Sequence, residues 1–297
     1  MALRDWLLIL FVGSIWGCSF LFNAVLIREL GPIWVAAGRV SMAAVVSWIF
    51  FFGMKKTLPR DPMLYIKLGL LGIFSYAIPF TLFPLGQAHI PSGLTAIINA
   101  LTPIMTVIVS HFWPGGEKAR FNKGLGVLAG FVGAALLASP ALSAGNGNGQ
   151  LWAIGVCLLA TILYAITLNV ARNFRAIDPT TIATIALTGA AVASLPMAFV
   201  VEGVPHVTRV ETWAAWLALA VVSTALTFQI MYRMLPRVGA TNFASNTFVS
   251  PVVAIILGVT LLGETILPVH IIGMLVVFLG LLLIDGRILR IGRPAAA

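Results

Sequence analysis

Apolar residues run along this chain in blocks of about 20, the length of helix that crosses a bilayer core, and short polar or glycine- and proline-bearing stretches separate them. The blocks predict ten membrane-spanning helices, over residues 4–26, 32–53, 64–86, 91–113, 121–140, 150–171, 179–201, 212–235, 239–262 and 267–286. The connections are short, and no soluble domain fits between them. The first block follows Arg4 and looks like a signal segment, but it is too long and lacks a convincing small-residue cleavage site. It is expected to stay as the first helix.

The pattern repeats. Thr102-Pro103, Gly116-Glu117, Gly126 and Gly133 return as Ser250-Pro251, Gly263-Glu264, Gly273 and Gly280, about 148 positions later. Upstream, Trp16 pairs with Tyr164, Tyr65 with Trp213, Ser75 with Ser223, and Phe80 with Phe228. Duplication divides the chain into a first repeat over 1–142, a Gly/Asn-rich linker over 143–149, and a second repeat over 150–297 that ends in a short basic tail. Five spans per repeat is an odd number, so the second repeat enters the membrane from the opposite side. The expected fold is all-α and integral to the membrane, with ten transmembrane helices as two inverted five-helix repeats around a central cavity.

Polar positions inside the spans are few and ordered. Ser92, Thr95, Asn99, Thr102, Thr106 and Ser110 recur at spacings of three and four, which places them on one helix face. Asn242, Ser245, Asn246 and Ser250 form a rougher stripe in the ninth span. Such faces turn away from lipid, toward hydrogen-bonding neighbours or a wet cavity. Pro79, Pro103 and Pro251 each remove a backbone donor within a span and are expected to kink it, as static bends or as hinges. Trp16, Tyr76, Phe80, Phe83, Tyr164, Phe228 and Tyr232 accompany the polar groups, either as cavity wall or as plain packing. Arg39 is the one cation well inside a span, and its role is open between structure and function.

Composition agrees with a bilayer as solvent. Hydrophobic residues make up 60% and charged residues 9%, against about 25% charged in soluble domains. The net charge of +9 does not point to nucleic acid, because it is distributed by side. Of the 18 Lys and Arg, only Arg28 and Arg209 fall on the face opposite the N-terminus, and Arg39 lies within a span. The bias puts both termini in the cytoplasm. Cys18 and Cys157 sit inside spans as small buried residues. His89, His111, His206 and His270 lie at span ends or in loops without metal-ligand spacing, so neither metal nor cofactor is expected. No span carries a central carboxylate, which speaks against proton coupling, and no phosphate-binding loop points to ATP. Glu117 and Glu264 stand where the fifth and tenth helices begin and read as caps for them. Gly13-x-x-x-Gly17 and Gly126-x-x-x-Gly130 allow close helix approach, within a monomer or in a weak homodimer.

Together these residues, with Trp16-Gly17-Cys18-Ser19-Phe20 in the first span and Arg39 in the second, resemble the drug/metabolite transporter superfamily of the EamA type. Within it the chain looks most like YddG-type exporters of aromatic and hydrophobic amino acids. The resemblance implies a multi-pass protein of the cell inner membrane, with helices 1, 3, 4, 6, 8 and 9 around a central cavity that opens alternately to each face. On that basis Thr95, Asn99, Thr102, Asn246 and Ser250 are candidates for the polar groups of a substrate. Trp16, Tyr76, Phe80, Tyr164 and Phe228 are candidates for its side chain. The partners expected are a small-molecule substrate and lipid. Facilitated export of amino acids is the first reading. A multidrug or other metabolite exporter, proton-coupled in some forms, is the second. An enzyme needs paired acidic, histidine or cysteine groups at one depth, and none is evident.

Overall fold

The computed structural model describes residues 3–119, 121–143, 148–238, 243 and 246–285. The described residues are helical throughout, with short connections and no strand. The helices are α1 (Leu3–Leu26), α2 (Pro32–Gly53), α3 (Pro62–Gln87), α4 (Ser92–Phe112), α5 (Phe121–Ser143), α6 (Asn148–Ala171), α7 (Pro179–Glu202), α8 (210–238), α9 (Asn246–Leu262) and α10 (Pro268–Asp285). Among the described residues, nine helices are long and apolar enough to cross a membrane, and α9 is shorter at 17 residues. The early part of the ninth predicted span, with Asn242 and Ser245, lies outside the described residues, as do most of the linker and the basic tail.

Helix starts follow local chemistry. Asp61 and Asp178 each precede a proline, and each carboxylate accepts from amides of the first turn: Met63 N at 2.9 Å for Asp61, Thr180 N at 3.1 Å and Thr181 N at 3.2 Å for Asp178. A carboxylate cap beside a proline at the first helical position satisfies donors that have no partner within the helix.

Three helices are interrupted. In α3 a wide π turn spans Ile73–Ala77 and delivers the chain to Pro79, whose ring could not fit a regular turn. In α8 the same widening runs over Ala218–Leu226 without a proline, and the Thr224 hydroxyl donates to the Leu219 carbonyl five residues back at 2.9 Å. In α4 the helix breaks at Ala100 and Leu101 and restarts at Thr102. Pro103 has no N–H for the Asn99 carbonyl, and the Thr102 hydroxyl donates to that carbonyl at 2.7 Å. Pro251 lies inside α9, which continues through it.

The bundle packs α5 against α10, α2 against α7, α1 against α9, and α4 against both α6 and α9. α3 lies on α6 and α7, and α8 lies on α1 and α2. Small residues make the tightest of these contacts possible. A Cβ on Gly17 would stand 2.7 Å from the Ser250 carbonyl oxygen, and one on Gly126 would stand 2.6 Å from the Gly280 oxygen. The glycine faces of α5 and α10 are therefore turned toward each other inside the protein. Large apolar side chains such as Phe11, Ile49, Phe52 and Phe131 point outward, where lipid is their natural neighbour.

Candidate functional site

Arg39 sits on α2 in the middle of the bundle and is only 8% exposed. Its guanidinium lies 3.5 Å from the centre of the Phe80 ring, and its Nε donates to the Thr224 hydroxyl at 2.9 Å. A cation at bilayer depth costs about 2.5–3.5 kcal/mol on insertion scales. An aromatic face returns about 0.5–2 kcal/mol, and a hydrogen bond from a charged donor about 1.5–3 kcal/mol. Those two contacts offset much of the cost while using one of the five N–H donors of the group.

Rings continue the cluster. Tyr76 lies against Phe80, with centroids 5.8 Å apart, and against Phe228 at 5.5 Å. Tyr76 and Tyr164 both pack on the apolar group that holds Phe80, and Tyr164 also meets Phe83 at 5.9 Å. Trp16 donates from Nε1 to the Thr227 hydroxyl at 3.1 Å, one residue before Phe228, and its ring meets Phe243 edge-on. Of the residues singled out from sequence, Tyr76, Phe80, Tyr164 and Phe228 thus converge with Arg39, and Trp16 packs beside them against Thr227 and a separate apolar group with Phe243. The four that converge are aromatic, and they come from α3, α6 and α8. The side chain of Tyr232 lies outside the described residues.

The polar candidates are placed differently. The Thr95 hydroxyl is fully buried and donates back to the Pro91 carbonyl at 3.1 Å. Thr102 is engaged by the carbonyl that Pro103 leaves free. Asn246 donates from Nδ2 to the Phe243 carbonyl at 2.6 Å, and it lies with Ser250 in the α1–α9 contact, pressed by Gly13 and Gly17. The Ser250 hydroxyl is buried and has no partner among the described residues. Asn99 is half-buried, as are Thr102 and Thr106 in the second half of α4, whereas Ser92 to Ile98 are buried. Sequence reasoning missed Thr224 and Thr227. The signal available was a polar group, Ser223, Thr224 and Thr227, in an otherwise apolar span.

Three carboxylates close one end of the bundle by accepting from the first turns of helices in the other half of the chain. Glu202 accepts from the amides of Ile33 and Trp34, both at 2.9 Å, at the start of α2. Glu29 accepts from Thr208 and Thr212 around the start of α8. Glu264 accepts from the Ser92 amide and hydroxyl, each at 2.8 Å, at the start of α4. The expectation that Glu264 caps the tenth helix is therefore corrected. The unsatisfied amides of α4 and the hydroxyl of Ser92 outcompete its own helix, which starts only at Pro268. Glu117 pairs with Lys123 in the first turn of α5. The hydroxyls of Thr208 and Thr212, with the amides of Arg209 and Thr208, outweigh burial and hold the Glu29 carboxyl down to about 2. At the opposite end, burial pushes the Asp178 carboxyl up, but the Lys56 ammonium and the Thr180 and Thr181 amides hold it below its ordinary range.

A bundle with nine helices, among the described residues, long and apolar enough to cross a bilayer defines a class, the multi-pass membrane proteins. More narrowly, the chain belongs to the EamA-like transporter family, whose model matches residues 5–139 and, a second time, 151–285. It is similar to the uncharacterized inner membrane transporter YedA of Escherichia coli K12, at 25% identity over 95% of this chain and 91% of that protein. It is also similar to the uncharacterized transporter YoaV of Bacillus subtilis, at 25% identity over 92% and 94%. Protein PecM of Dickeya dadantii is 22% identical over 96% and 93%. A solved crystal structure shares the fold with a TM-score of 0.69 at 17% identity, over 96% of this chain and 98% of the other.

Proposed function

We propose that this chain is a secondary transporter that exports small metabolites, aromatic or other hydrophobic amino acids foremost, by alternating access. In this reading ten spans form two inverted five-helix repeats, over 1–142 and 150–297, with both termini in the cytoplasm. The observation that carries it is the central cluster. Arg39, Tyr76 and Phe80 from the first half meet Tyr164, Thr224 and Phe228 from the second, so the site lies where two halves can separate.

Several features support the inversion. The family model matches each half. Exchanging the two halves, α1 for α6 and so on, maps α5–α10, α2–α7 and α4–α9 onto themselves and the other main contacts onto one another: α1–α9 onto α6–α4, α3–α6 onto α8–α1, and α3–α7 onto α8–α2. Described residues with positive φ also fall in two pairs, Lys55 (53°) with Gly203 (72°) and Gly115 (70°) with Gly263 (67°), each 148 positions apart. The second pair moves the one-residue gap between the repeats to beyond Gly115, whereas the letters alone match Gly116 to Gly263.

Glu29, Glu202 and Glu264 bridge the halves at the end that this reading assigns to the outside, and Asn99 to Val109 are more open on the inner side. The ion pairs across the inner end, Lys56 with Asp178 and Asp5 with Arg237, are partly exposed, and such pairs contribute only about 0–1 kcal/mol. Both points support a protein poised to take substrate from the cytoplasm. The positive charge of Arg39 argues against lipophilic cations as cargo, which disfavours the multidrug reading.

The test is flux through purified protein in liposomes across the twenty amino acids, without a proton gradient. Aromatic and large aliphatic amino acids are expected to move, and Trp16→Ala is expected to reduce that movement while Asn99→Ala changes it less. Strict dependence on a proton gradient would overturn facilitated movement.

A further inference from the structure

Arg39 carries more chemistry than bracing explains. The Nε edge of its guanidinium is taken by Thr224 and one face is covered by Phe80. The two Nη nitrogens donate to nothing among the described residues, and the ion pairs found there do not involve Arg39. Around it stand hydroxyls and rings, from α3 (Tyr76, Phe80), α6 (Tyr164) and α8 (Thr224, Phe228), with no carboxylate in the cluster. A buried guanidinium with a free Nη edge presents a planar fork that matches the two oxygens of a carboxylate. Its surroundings would not compete for that fork, and the adjacent rings suit an apolar body.

We propose that Arg39 is the anion-binding group of the transport site, and that the cargo reaches it with a carboxylate. The proposal rests on the transporter reading above. It narrows the substrate to small molecules that join an acidic head to an apolar or aromatic body. Thr224 is the positioning residue: it sits in the π turn of α8, holds the Nε edge and so aims the Nη edge at the substrate. A phosphate would meet the same fork, so the test separates the two anions.

Purified protein in detergent is heated with L-phenylalanine, phenylacetate, 2-phenylethylamine or inorganic phosphate, and the same compounds compete with labelled phenylalanine for liposome flux. Phenylalanine and phenylacetate are expected to raise the melting temperature of the wild type and to compete, and 2-phenylethylamine to do neither. Arg39→Gln is expected to raise KM for phenylalanine by roughly tenfold or more, with kcat changed less and with the response to phenylacetate lost. Arg39→Lys, which keeps the charge without the fork, recovers part of it. Equal responses of the wild type to phenylacetate and 2-phenylethylamine overturn the proposal, even where Arg39→Gln does not fold. A folded Arg39→Gln that still responds to phenylacetate as the wild type does overturns it too. Stabilisation by phosphate alone replaces the carboxylate with a phosphate and ends the proposal in this form. Absence of amino-acid flux overturns the amino-acid reading alone; Arg39 then stands or falls on whether phenylacetate stabilises the wild type.

Discussion

At the scale of single residues, the recurring event is a polar side chain that satisfies a backbone group the fold leaves stranded. Thr102 does so for the carbonyl that Pro103 frees. Replacing it as Thr102→Val keeps the shape and strands the Asn99 carbonyl, which should cost about 1–3 kcal/mol; a fall in melting temperature relative to Thr106→Val checks this, because Thr106 donates to a carbonyl inside a regular turn. Glu29 does the same for the start of α8, and its ionisation sets a pH window. Its carboxyl is held at about 2 against an ordinary 4.5, so its stabilisation is fully present above 4.5 and is lost as pH falls toward 2. Melting curves from pH 8 to pH 3 should therefore be insensitive to this group above about pH 5 and decline below, and Glu29→Gln should make that decline shallower, Asp178 carrying part of the rest. A variant that keeps the acid decline of the wild type contradicts the role given to Glu29. These residues were only partly legible beforehand. The Thr-Pro pair marks its own kink, but the threonines that hold Glu29 and Arg39 lie more than 170 positions away along the chain, and no local pattern names them.

At the scale of helices, extent was readable because bilayer thickness dictates it: the apolar blocks predicted for α2, α3 and α7 differ from the observed helices by two residues or fewer at either end. The widening of α8 was not readable. Its π turns depend on how carbonyls and the Thr224 hydroxyl are shared, and the segment has no proline to mark it. The aromatic half of the candidate site was readable from the repeat pairing of Phe80 with Phe228 and Trp16 with Tyr164. Its polar half was not, since a serine or threonine on an inward face serves a backbone carbonyl as readily as a ligand. Helix contacts give a sharp prediction within α5. A Cβ on Gly124 meets nothing within 4 Å, whereas one on Gly126 stands 2.6 Å from the Gly280 oxygen. Gly124→Ala should leave stability unchanged or raise it by about 0.5–1 kcal/mol, and Gly126→Ala should lower it by about 1–3 kcal/mol. Similar melting temperatures for the two variants would contradict the α5–α10 contact described above.

At the scale of the whole molecule, the two halves are tied at one end by carboxylates on helix starts and meet at the centre around Arg39. Glu264→Gln weakens one tie by replacing an anion at the start of α4 with a neutral acceptor. It should increase labelling of a cysteine placed at Ala96, in the buried first half of α4, by reagents added from the side that the proposed orientation assigns to the outside. Unchanged labelling would show that Glu264 does not restrain that end. The central claim is the inversion of the halves, and cysteine accessibility in a variant lacking Cys18 and Cys157 tests it most directly. Position 60 follows α2, and position 208, 148 residues later, follows α7. In intact cells a membrane-impermeant thiol reagent should label Thr208→Cys and not Arg60→Cys, with the pattern reversed in inside-out vesicles. Labelling of both from the same side would contradict the inverted repeat and the transport mechanism built on it.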